Sequence, residues 1–271
     1  MISFIVPGLP DEKYLDCLDS IYEEIDREKD GSEIILVMKC EKERQEKLRE
    51  ELNQRYGRSL SCYFDDGNRS EARNLGAKHA KSNYLTFVDS DTIIGEHFIS
   101  TTKRDFDKGY AFINYTTRPL DEDYADKRRL LYYNRFMNLN QWFLTKAYVC
   151  RPYGFCMSVR KNICEDVSAD GEIFLKRLAG YGEDSELGSR YGPHCRKHGL
   201  KGKYEKGTKE KRIIVKTSFR GWYNERFWRG GVRMIVNTFI VPLPFIKRPL
   251  IGNWREKKKD DSAPYGNVAE G

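Results

Sequence analysis

Two acidic residues flank a single serine in the segment Asp89-Ser90-Asp91, directly after an apolar run. Carboxylates placed this close repel one another unless a cation lies between or beside them. Mg²⁺ and Mn²⁺ favour oxygen ligands, and Mg²⁺ usually takes one or two carboxylates together with substrate phosphates. The segment therefore predicts a divalent-cation site that receives a phosphate-bearing ligand. A solvated acidic loop, or a cap for a following helix, is the structural alternative.

A second acidic pair, Glu183-Asp184, follows the segment Gly180-Tyr-Gly. A carboxylate in a glycine-flanked loop at the start of a helix can approach a substrate closely and take a proton from it. Ordinary capping of the helix N-terminus explains the same two residues without any chemistry. The pair is thus a candidate general base, with capping as the alternative.

The elements that must position these residues alternate regularly over the first 91 residues. The sequence predicts strands at 2–6, 33–38, 61–64 and 84–88, and helices at 12–28, 41–55 and 70–81. Continuous apolar strands that alternate with helices predict an α/β fold, a mainly parallel sheet with helices on both faces. Ligands of such sheets bind at the carboxyl ends of the strands, where Pro7, Asp65 and Asp89 all fall.

Beyond residue 92 the pattern is less regular. The sequence predicts strands at 111–115, 153–159 and 213–215, a short helix after residue 159, and longer helices at 127–144 and from Glu183 onward. Apolar residues of the helix at 127–144 lie on more than one of its faces. Neither GxGxxG nor GxxxxGK[ST] occurs in the chain, so neither a Rossmann dinucleotide site nor a P-loop is supported.

Cysteine usage and the N-terminal segment bear on the cellular compartment. The seven cysteines form no CxxC motif, and the N-terminal residues lack the basic and long apolar regions of a secretory signal. These features predict reduced thiols and a cytoplasmic protein.

Positive charge is concentrated near the C-terminus. The whole chain carries +7, whereas residues 196–259 carry +15 and residues 1–195 carry −5. Such asymmetry favours a polyanionic partner, which is nucleic acid, an anionic membrane surface or a phosphate-bearing ligand. A well-solvated basic surface is the alternative.

The C-terminal tail, residues 216–271, combines these basic residues with aromatic ones up to residue 259. Amphipathic basic–aromatic segments lie in the interfacial plane of membranes and are attracted by anionic lipids. The apolar run at 234–246 is too short and too interrupted by proline to span a membrane. The tail therefore predicts peripheral association with the inner face of the cell membrane, with packing as an extra helix as the alternative. No RRM, KH or helix-turn-helix pattern is present, so no nucleic-acid partner is expected.

Three segments, in this order, resemble the family 2 glycosyltransferases of the GT-A fold. Phe4-Ile-Val-Pro7 and the helix after it resemble the family's first strand and helix. The block from Ser70-Glu-Ala-Arg-Asn-Leu-Gly to Asp89-Ser-Asp is similar to the family's ARN-x-G helix, apolar strand and DxD motif, and Gly182-Glu-Asp-Ser-Glu-Leu resembles its Glu-Asp acceptor motif. The resemblance implies a GT-A catalytic domain over 1–215, with a nucleotide-sugar-binding half at 1–91 and an acceptor-binding half at 92–215.

The resemblance also implies roles for individual residues. Asp91 would be the direct metal ligand, and Asp89 would lie near the metal or the nucleotide ribose. Asp184 would be the catalytic base, with Glu183 beside it. The nucleotide-sugar site would include the first loop, the ARN arginine and the DxD segment, which are Pro7, Asp11, Glu12, Arg73, Asp89, Ser90 and Asp91.

One position departs from the family pattern. The second strand of the family often ends in Asp-Asp-Gly-Ser, whose first aspartate contacts the nucleotide base, whereas here that strand ends in Val37-Met-Lys-Cys40. Asp65 or Asp66, at the end of the next strand, could make this contact instead. An ordinary turn is the alternative for both residues.

Together these features predict a metal-dependent inverting glycosyltransferase that uses Mn²⁺ or Mg²⁺ and a nucleotide-diphosphate sugar donor. The acceptor would be a saccharide or a polyprenyl-phosphate-type lipid. A catalytically inactive membrane- or polyanion-binding protein on the same scaffold is the alternative, motivated by the missing strand-end aspartate. Nucleotidyl transfer would use similar carboxylates and metal, but no glycine-rich phosphate loop lies near the N-terminus.

Overall fold

A computed structural model describes residues 1–8, 13–120, 127–146, 155–176, 183–206 and 215–218. All of them belong to the first of the two units into which the chain divides, Met1–Asn224. The predictions for Asp11, for Glu12 and for the tail from residue 219 onward lie outside the described residues. Among the described helices, none combines the length and the apolar character that crossing a bilayer requires.

Strands and helices alternate along most of the described chain. Its elements are β1 (Ser3–Gly8), α1 (Lys13–Glu28), β2 (Glu33–Met38), α2 (Lys42–Tyr56), β3 (Leu60–Phe64), α3 (Arg69–His79), β4 (Tyr84–Val88), β5 (Thr92–Ile93), α4 (Phe98–Asp107), β6 (Phe112–Tyr115), β7 (Thr117–Pro119), α5 (Lys127–Lys146), β8 (Cys156–Arg160), α6 (Lys161–Asp166), α7 (Glu183–Lys197), β9 (Gly202–Glu205) and β10 (Val215–Thr217).

The main sheet has seven strands in the order β3-β2-β1-β4-β8-β6-β9. All run parallel except β8, which is antiparallel to both of its neighbours, β4 and β6. The predicted mainly parallel α/β sheet is therefore confirmed. A second, smaller sheet has the order β5-β10-β7, and its first strand begins directly after Asp91.

The apolar strands are buried on both faces, as their continuous hydrophobic runs predict. Phe4 and Val6 of β1 pack into one cluster with α1 and α4, whereas Ile5 packs into a second cluster with α3, α6 and α7. The alternation of side chains along a strand therefore joins each strand to both helical layers. Because α3 and α7 cover the same face of the sheet, residues far apart in sequence can meet between them.

Pro7 lies inside β1, which continues to Gly8, whereas the sequence predicted that the strand ends at Val6 and that a turn begins at Pro7. The carbonyls of Ile2 and Gly8 accept hydrogen bonds from the β2 side, so the backbone groups of Pro7 point towards β4. The pairing of β1 with β4 ends at Ile5. Proline is tolerated here because the N–H group that it lacks would face no ladder partner.

Some elements were not predicted from the sequence. The helix α4 begins after His97, which has a left-handed backbone (φ 61°) and makes no side-chain cap, so the usual start signal is absent. The strands β5, β7 and β9 are too short to show a periodicity of their own.

Gly76 allows α3 to lie close to β1. A Cβ atom at this position would overlap Cγ2 of Ile5, and Ile5 is fully buried and cannot move aside. Since α3 also carries Arg73, this close approach sets the depth at which the arginine enters the protein.

We expect Gly76→Ala to lower the free energy of unfolding by about 1–3 kcal/mol, as overpacking of a tight interior does. The sign is informative because alanine favours a helix over glycine by about 1 kcal/mol when nothing collides. Gly31→Ala is the matched control, since a Cβ atom there meets open space. Urea unfolding measures both variants, and a Gly76→Ala protein as stable as the control would contradict the packing argument.

Candidate functional site

The Asp89–Asp91 segment is fixed to three neighbouring parts of the chain. The N–H group of Asp89 donates to the carbonyl of Phe155 at 3.0 Å, and its own carbonyl accepts from the N–H group of Thr92 at 3.0 Å. The thiol of Cys17, on α1, donates to the same carbonyl at 3.6 Å. Asp89, Ser90 and Asp91 are half-buried, so the segment is both rigid and accessible at the carboxyl edge of β4.

Arg73 links the two acidic motifs of the sequence. Its Nη2 donates to Oδ1 of Asp89 at 2.8 Å, and its Nη1 donates to Oε1 of Glu183 at 3.0 Å. The arginine side chain is 0% exposed and that of Glu183 is 6% exposed. Two charge-assisted hydrogen bonds from one planar guanidinium fix position as well as charge. The motifs are therefore joined beneath the surface of the site.

A second arginine lies one helical turn before the first. Nη1 of Arg69 is 3.7 Å from Oδ2 of Asp89, and the Arg69 side chain is 41% exposed. Positions i and i+4 of a helix share a face. Both oxygens of the Asp89 carboxylate are thus close to a guanidinium, so contacts with Arg69 and Arg73 fix the position of this carboxylate.

The start of α3 is set by a capping box. Oδ1 of Asn68 accepts from the N–H groups of Ser70 and Glu71, and the Glu71 carboxylate accepts from the N–H group of Asn68 at 2.9 Å. This reciprocal pattern satisfies donors that have no partner within the helix. It fixes where the helix begins and hence which residues of α3 face β4.

Asn74 fixes the segment before the second acidic motif. Its Nδ2 donates to the carbonyl of Phe174 at 2.8 Å, and its Oδ1 accepts from the N–H group of Phe174 at 2.9 Å. The guanidinium carbon of Arg73 lies 5.3 Å from the centre of the Phe174 ring. The adjacent arginine and asparagine therefore hold the same distant segment by polar and cation–π contacts.

Glu183 and Asp184 begin α7, as predicted. Oδ1 of Asp184 accepts from the N–H group of Ser185 at 2.7 Å, and Asp184 is half-buried. Glu183 points inward to Arg73, whereas its neighbour is nearer to solvent. Two adjacent carboxylates consequently differ in environment, since Glu183 is fixed by a buried arginine whereas Asp184 is half-buried.

Two buried thiols lie beneath the Asp89 segment. Burial, followed by the negative charges of Asp91 and Asp89, raises the pKa of Cys17. Burial also raises the pKa of Cys156 well above its usual range, with further contributions from Cys17 and Asp89. Both groups stay protonated at neutral pH, which leaves carboxylates as the negatively charged groups in this part of the site.

Asp66 lines a separate cavity at the ends of β2 and β3. The cavity has a volume of about 420 Å³, and its other lining residues are Lys39, Cys40, Glu41, Lys42, Glu43 and Arg44. Asp65 forms a turn instead, because its Oδ1 accepts from the N–H group of Gly67 at 3.2 Å. Asp66 is exposed and thus lies next to the strand end that lacks the family's aspartate.

The residues at the end of β4 fit a hard divalent cation. Asp89 and Asp91 offer only carboxylate oxygens, the ligands that Mg²⁺ and Mn²⁺ favour. Over the described ranges, no cluster of three or more His, Cys, Asp or Glu side chains is arranged to hold a metal. Two carboxylates suit a cation whose remaining ligands come from water and substrate phosphates.

The structure brings together most of the predicted site residues that it describes. Asp89, Arg73 and Glu183 are in direct contact, and Ser90, Asp91 and Asp184 are their immediate neighbours in sequence. Sequence reasoning missed Cys17, Arg69 and Asn74. Asn74 stood in the ARN motif without an assigned role, and Arg69 had a signal in its spacing of four residues from Arg73 on one helix.

Comparisons with known proteins agree with this architecture. The sequence model of glycosyl transferase family 2 matches residues 3–168, whereas no curated protein sequence matches significantly. The crystal structure of TarS 1-349 from S. aureus is 14% identical in sequence to this chain and matches it with a TM-score of 0.56. The match covers 86% of this chain and 65% of that chain. Its complex with UDP-GlcNAc shares 16% identity and a TM-score of 0.52, with 78% and 60% covered.

A further solved structure is the mannosyltransferase PcManGT from Pyrobaculum calidifontis in complex with GDP-Man and Mn²⁺. It shares 16% identity and a TM-score of 0.61, with 97% of this chain and 65% of that chain covered. This chain thus spans just under two thirds of the length of the first of these solved chains. At such low identity the likeness shows the fold, which is GT-A.

We expect Arg73→Met to lower the free energy of unfolding by about 3–5 kcal/mol, because it leaves the buried carboxylate of Glu183 and the half-buried one of Asp89 without their shared cation. Arg69→Met is the matched control, since it removes an exposed guanidinium from the same carboxylate and should cost only about 0–1 kcal/mol. Urea unfolding at neutral pH measures both. Equal losses of unfolding free energy in the two variants would show that the buried ion pairs of Arg73 stabilise the protein no more than the exposed one of Arg69.

Proposed function

This chain belongs to glycosyl transferase family 2, and on this premise we propose that it is a metal-dependent enzyme that moves a sugar from a nucleotide-diphosphate donor to an acceptor with inversion. The observation that carries the proposal is the buried bridge from Asp89 through Arg73 to Glu183. The bridge brings an acidic pair suited to a cation and an acidic pair suited to proton transfer to one end of the sheet.

Asp91, with Asp89 beside it, is proposed to hold Mn²⁺ or Mg²⁺. Asp91 is the candidate for direct ligation because it matches the second aspartate of the family's DxD motif, whereas the oxygens of Asp89 face Arg73 and Arg69. A bound cation would stabilise the negative charge of the diphosphate leaving group. Support comes from the mannosyltransferase with the same fold, which is in complex with Mn²⁺.

The donor is proposed to lie across the carboxyl ends of β2, β1 and β4. Neighbouring strands are about 4.8 Å apart, so β2 and β4 are separated by about 10 Å. The base would enter the cavity lined by Asp66, the diphosphate would reach Asp91, and Pro7 lies at the end of the strand between them. UDP, UDP-GlcNAc and GDP-Man in solved proteins of this fold support a donor of this class.

Asp184 is proposed to act as the general base. Its carboxylate would take the proton of an acceptor hydroxyl while that oxygen attacks the anomeric carbon. The bond from this carbon to the diphosphate breaks in the same displacement, so the configuration inverts. Glu183 and Arg73 are positioning residues in this scheme, since they fix the start of α7 relative to β4.

The acceptor is proposed to be a saccharide or a polyprenyl-phosphate-type lipid at the inner face of the membrane. The charge of +15 over residues 196–259 supports an anionic partner. An anionic membrane surface would then bind the tail at 216–271 and present a lipid-linked phosphate to the site.

We expect Asp91→Asn to abolish the part of nucleoside diphosphate binding that depends on Mn²⁺, because the amide is a weaker ligand and carries no charge. Asp166→Asn is the control, as it alters a carboxylate that is 61% exposed outside the site. Calorimetric titration with UDP and GDP, with and without Mn²⁺, measures the effect. If Asp91→Asn keeps the Mn²⁺-linked affinity of the wild type, this metal site is excluded. If the wild-type protein itself shows no Mn²⁺-linked nucleotide binding, the inactive binding protein is favoured.

We expect Asp184→Asn to slow sugar transfer by roughly 10²–10⁴-fold while donor binding stays near normal, because the amide cannot accept the proton. Transfer is measured with the donor and acceptor that a screen for nucleotide release identifies. Glu183→Gln is the comparison, and its main effect should be a lower unfolding midpoint, because the buried Arg73 then loses one of its negatively charged partners. Near-normal transfer by Asp184→Asn would mean that another group is the base.

A further inference from the structure

The outward face of α5 is apolar. Apart from Met1, every exposed large hydrophobic side chain among the described residues lies on this helix: Leu131, Tyr132, Phe136, Leu139 and Phe143. Four of them, Tyr132, Phe136, Leu139 and Phe143, recur at intervals of four, three and four residues and so share one face. These four residues are the α5 stripe, and their exposed fractions range from 49% to 68%.

The opposite face of α5 is largely polar and buried. Oδ1 of Asn138 accepts from the N–H group of Thr117, and its Nδ2 donates to the carbonyl of Thr117, both at 2.9 Å. Asn134 and Thr145 are buried and bonded to Thr117 and Asn114. A surface helix normally buries its apolar side. In α5 a large part of the apolar surface faces outward instead, while hydrogen bonds, together with the buried Met137 and Leu144, fix the helix to the protein.

Positive charge predominates on α5 itself and in the cavity beside it. The sequence of α5 contains five Lys or Arg and no Asp or Glu, and Arg135 and Lys146 are exposed. Beside the C-terminal end of the helix, a cavity of about 550 Å³ is lined by Trp142, Lys146, Lys201, Lys203 and Lys206, among others, with Glu205 as its one acidic lining residue. An apolar stripe bordered by cations complements a surface that is apolar inside and anionic outside.

We propose that the α5 stripe is the surface by which the protein lies on an anionic lipid bilayer. Aromatic and leucine side chains would enter the boundary between headgroups and acyl chains, while the flanking lysines and arginines would meet lipid phosphates. The helix lies in the membrane plane and does not cross it. The inference deepens the proposed function by favouring the lipid-linked phosphate over the saccharide as acceptor, and only this part of it rests on that function.

The small sheet connects this surface to the site. The strand β5 follows Asp91 directly, β10 pairs with β5 and with β7, and Thr117 of β7 carries the hydrogen bonds to α5. The two outer strands are about 10 Å apart. The bilayer contact would thus lie one short sheet away from the acidic site, within reach of a headgroup-linked phosphate.

Flotation of the full chain with vesicles tests the proposal. We expect binding to vesicles of 70% phosphatidylcholine and 30% phosphatidylglycerol, with weaker binding at high salt. F136S/L139S should lower the partition coefficient at least about tenfold, because two apolar side chains no longer insert. F136L/L139F is the matched control and should bind within about twofold of wild type, since it keeps the apolar area.

Other occupants of the stripe give different results, each of which would overturn the proposal. If a second copy covers it, light scattering will show a wild-type dimer that F136S/L139S dissociates. If another segment of the same chain covers it, F136S/L139S will lower the unfolding midpoint without vesicles and leave flotation unchanged. Wild-type protein that ignores anionic vesicles at low salt would also exclude the proposal.

Donor binding separates this inference from the proposed function. F136S/L139S should leave Mn²⁺-linked binding of nucleoside diphosphate unchanged, because the stripe is outside the acidic site. Normal flotation together with no metal-linked nucleotide binding would preserve the membrane surface and remove the enzyme proposal. Metal-linked nucleotide binding without flotation would support the enzyme proposal and exclude the membrane-binding role of the α5 stripe.

Discussion

A single buried guanidinium joins parts of the chain that fold around different strands. Arg73 is a buried charge with carboxylate partners in Asp89 and Glu183, and taking one ion out of water costs several kcal/mol unless such partners compensate. The arrangement therefore makes the end of β4, the helix α3 and the start of α7 depend on one another. The half-buried carboxylates of Asp91 and Asp184 therefore depend for their positions on the buried contacts of Arg73.

Several residues of α3 have separate tasks that together hold the site. The capping box at Asn68 fixes the start of the helix, and Gly76 allows it to approach β1. Between them, Arg73 faces the acidic motifs while Asn74 holds the backbone at Phe174. Each of the three polar side chains has an observed hydrogen-bond partner, so its task follows from the structure itself. The helix α3 therefore sets its own distance from β1 and fixes the positions of Asp89, Glu183 and Phe174.

The sequence predicted the elements near the site better than those far from it. The strands β2 and β4 match their predicted bounds, because continuous apolar runs between polar turns identify buried parallel strands. The antiparallel direction of β8 is set by its pairing with β4 and β6, which lie far from it in sequence, and local pattern does not encode such pairing. Likewise, both acidic motifs were found as candidates, but the bridge between them was not, since Arg73 and Glu183 are 110 residues apart. The apolar excess of α5 was visible in sequence, whereas its outward direction depends on hydrogen bonds to Thr117.

The same bridge limits how such proteins can be recombined. The sequence predicts two halves that meet at residue 91, shortly after the end of β4. A chimera that exchanged only the second half would pair Arg73 with whatever residue begins the incoming helix. Without a carboxylate there, the graft would contain a buried cation balanced on one side only. Exchange between relatives at this junction is thus constrained by charge compatibility at one internal position, and surface complementarity alone would not suffice.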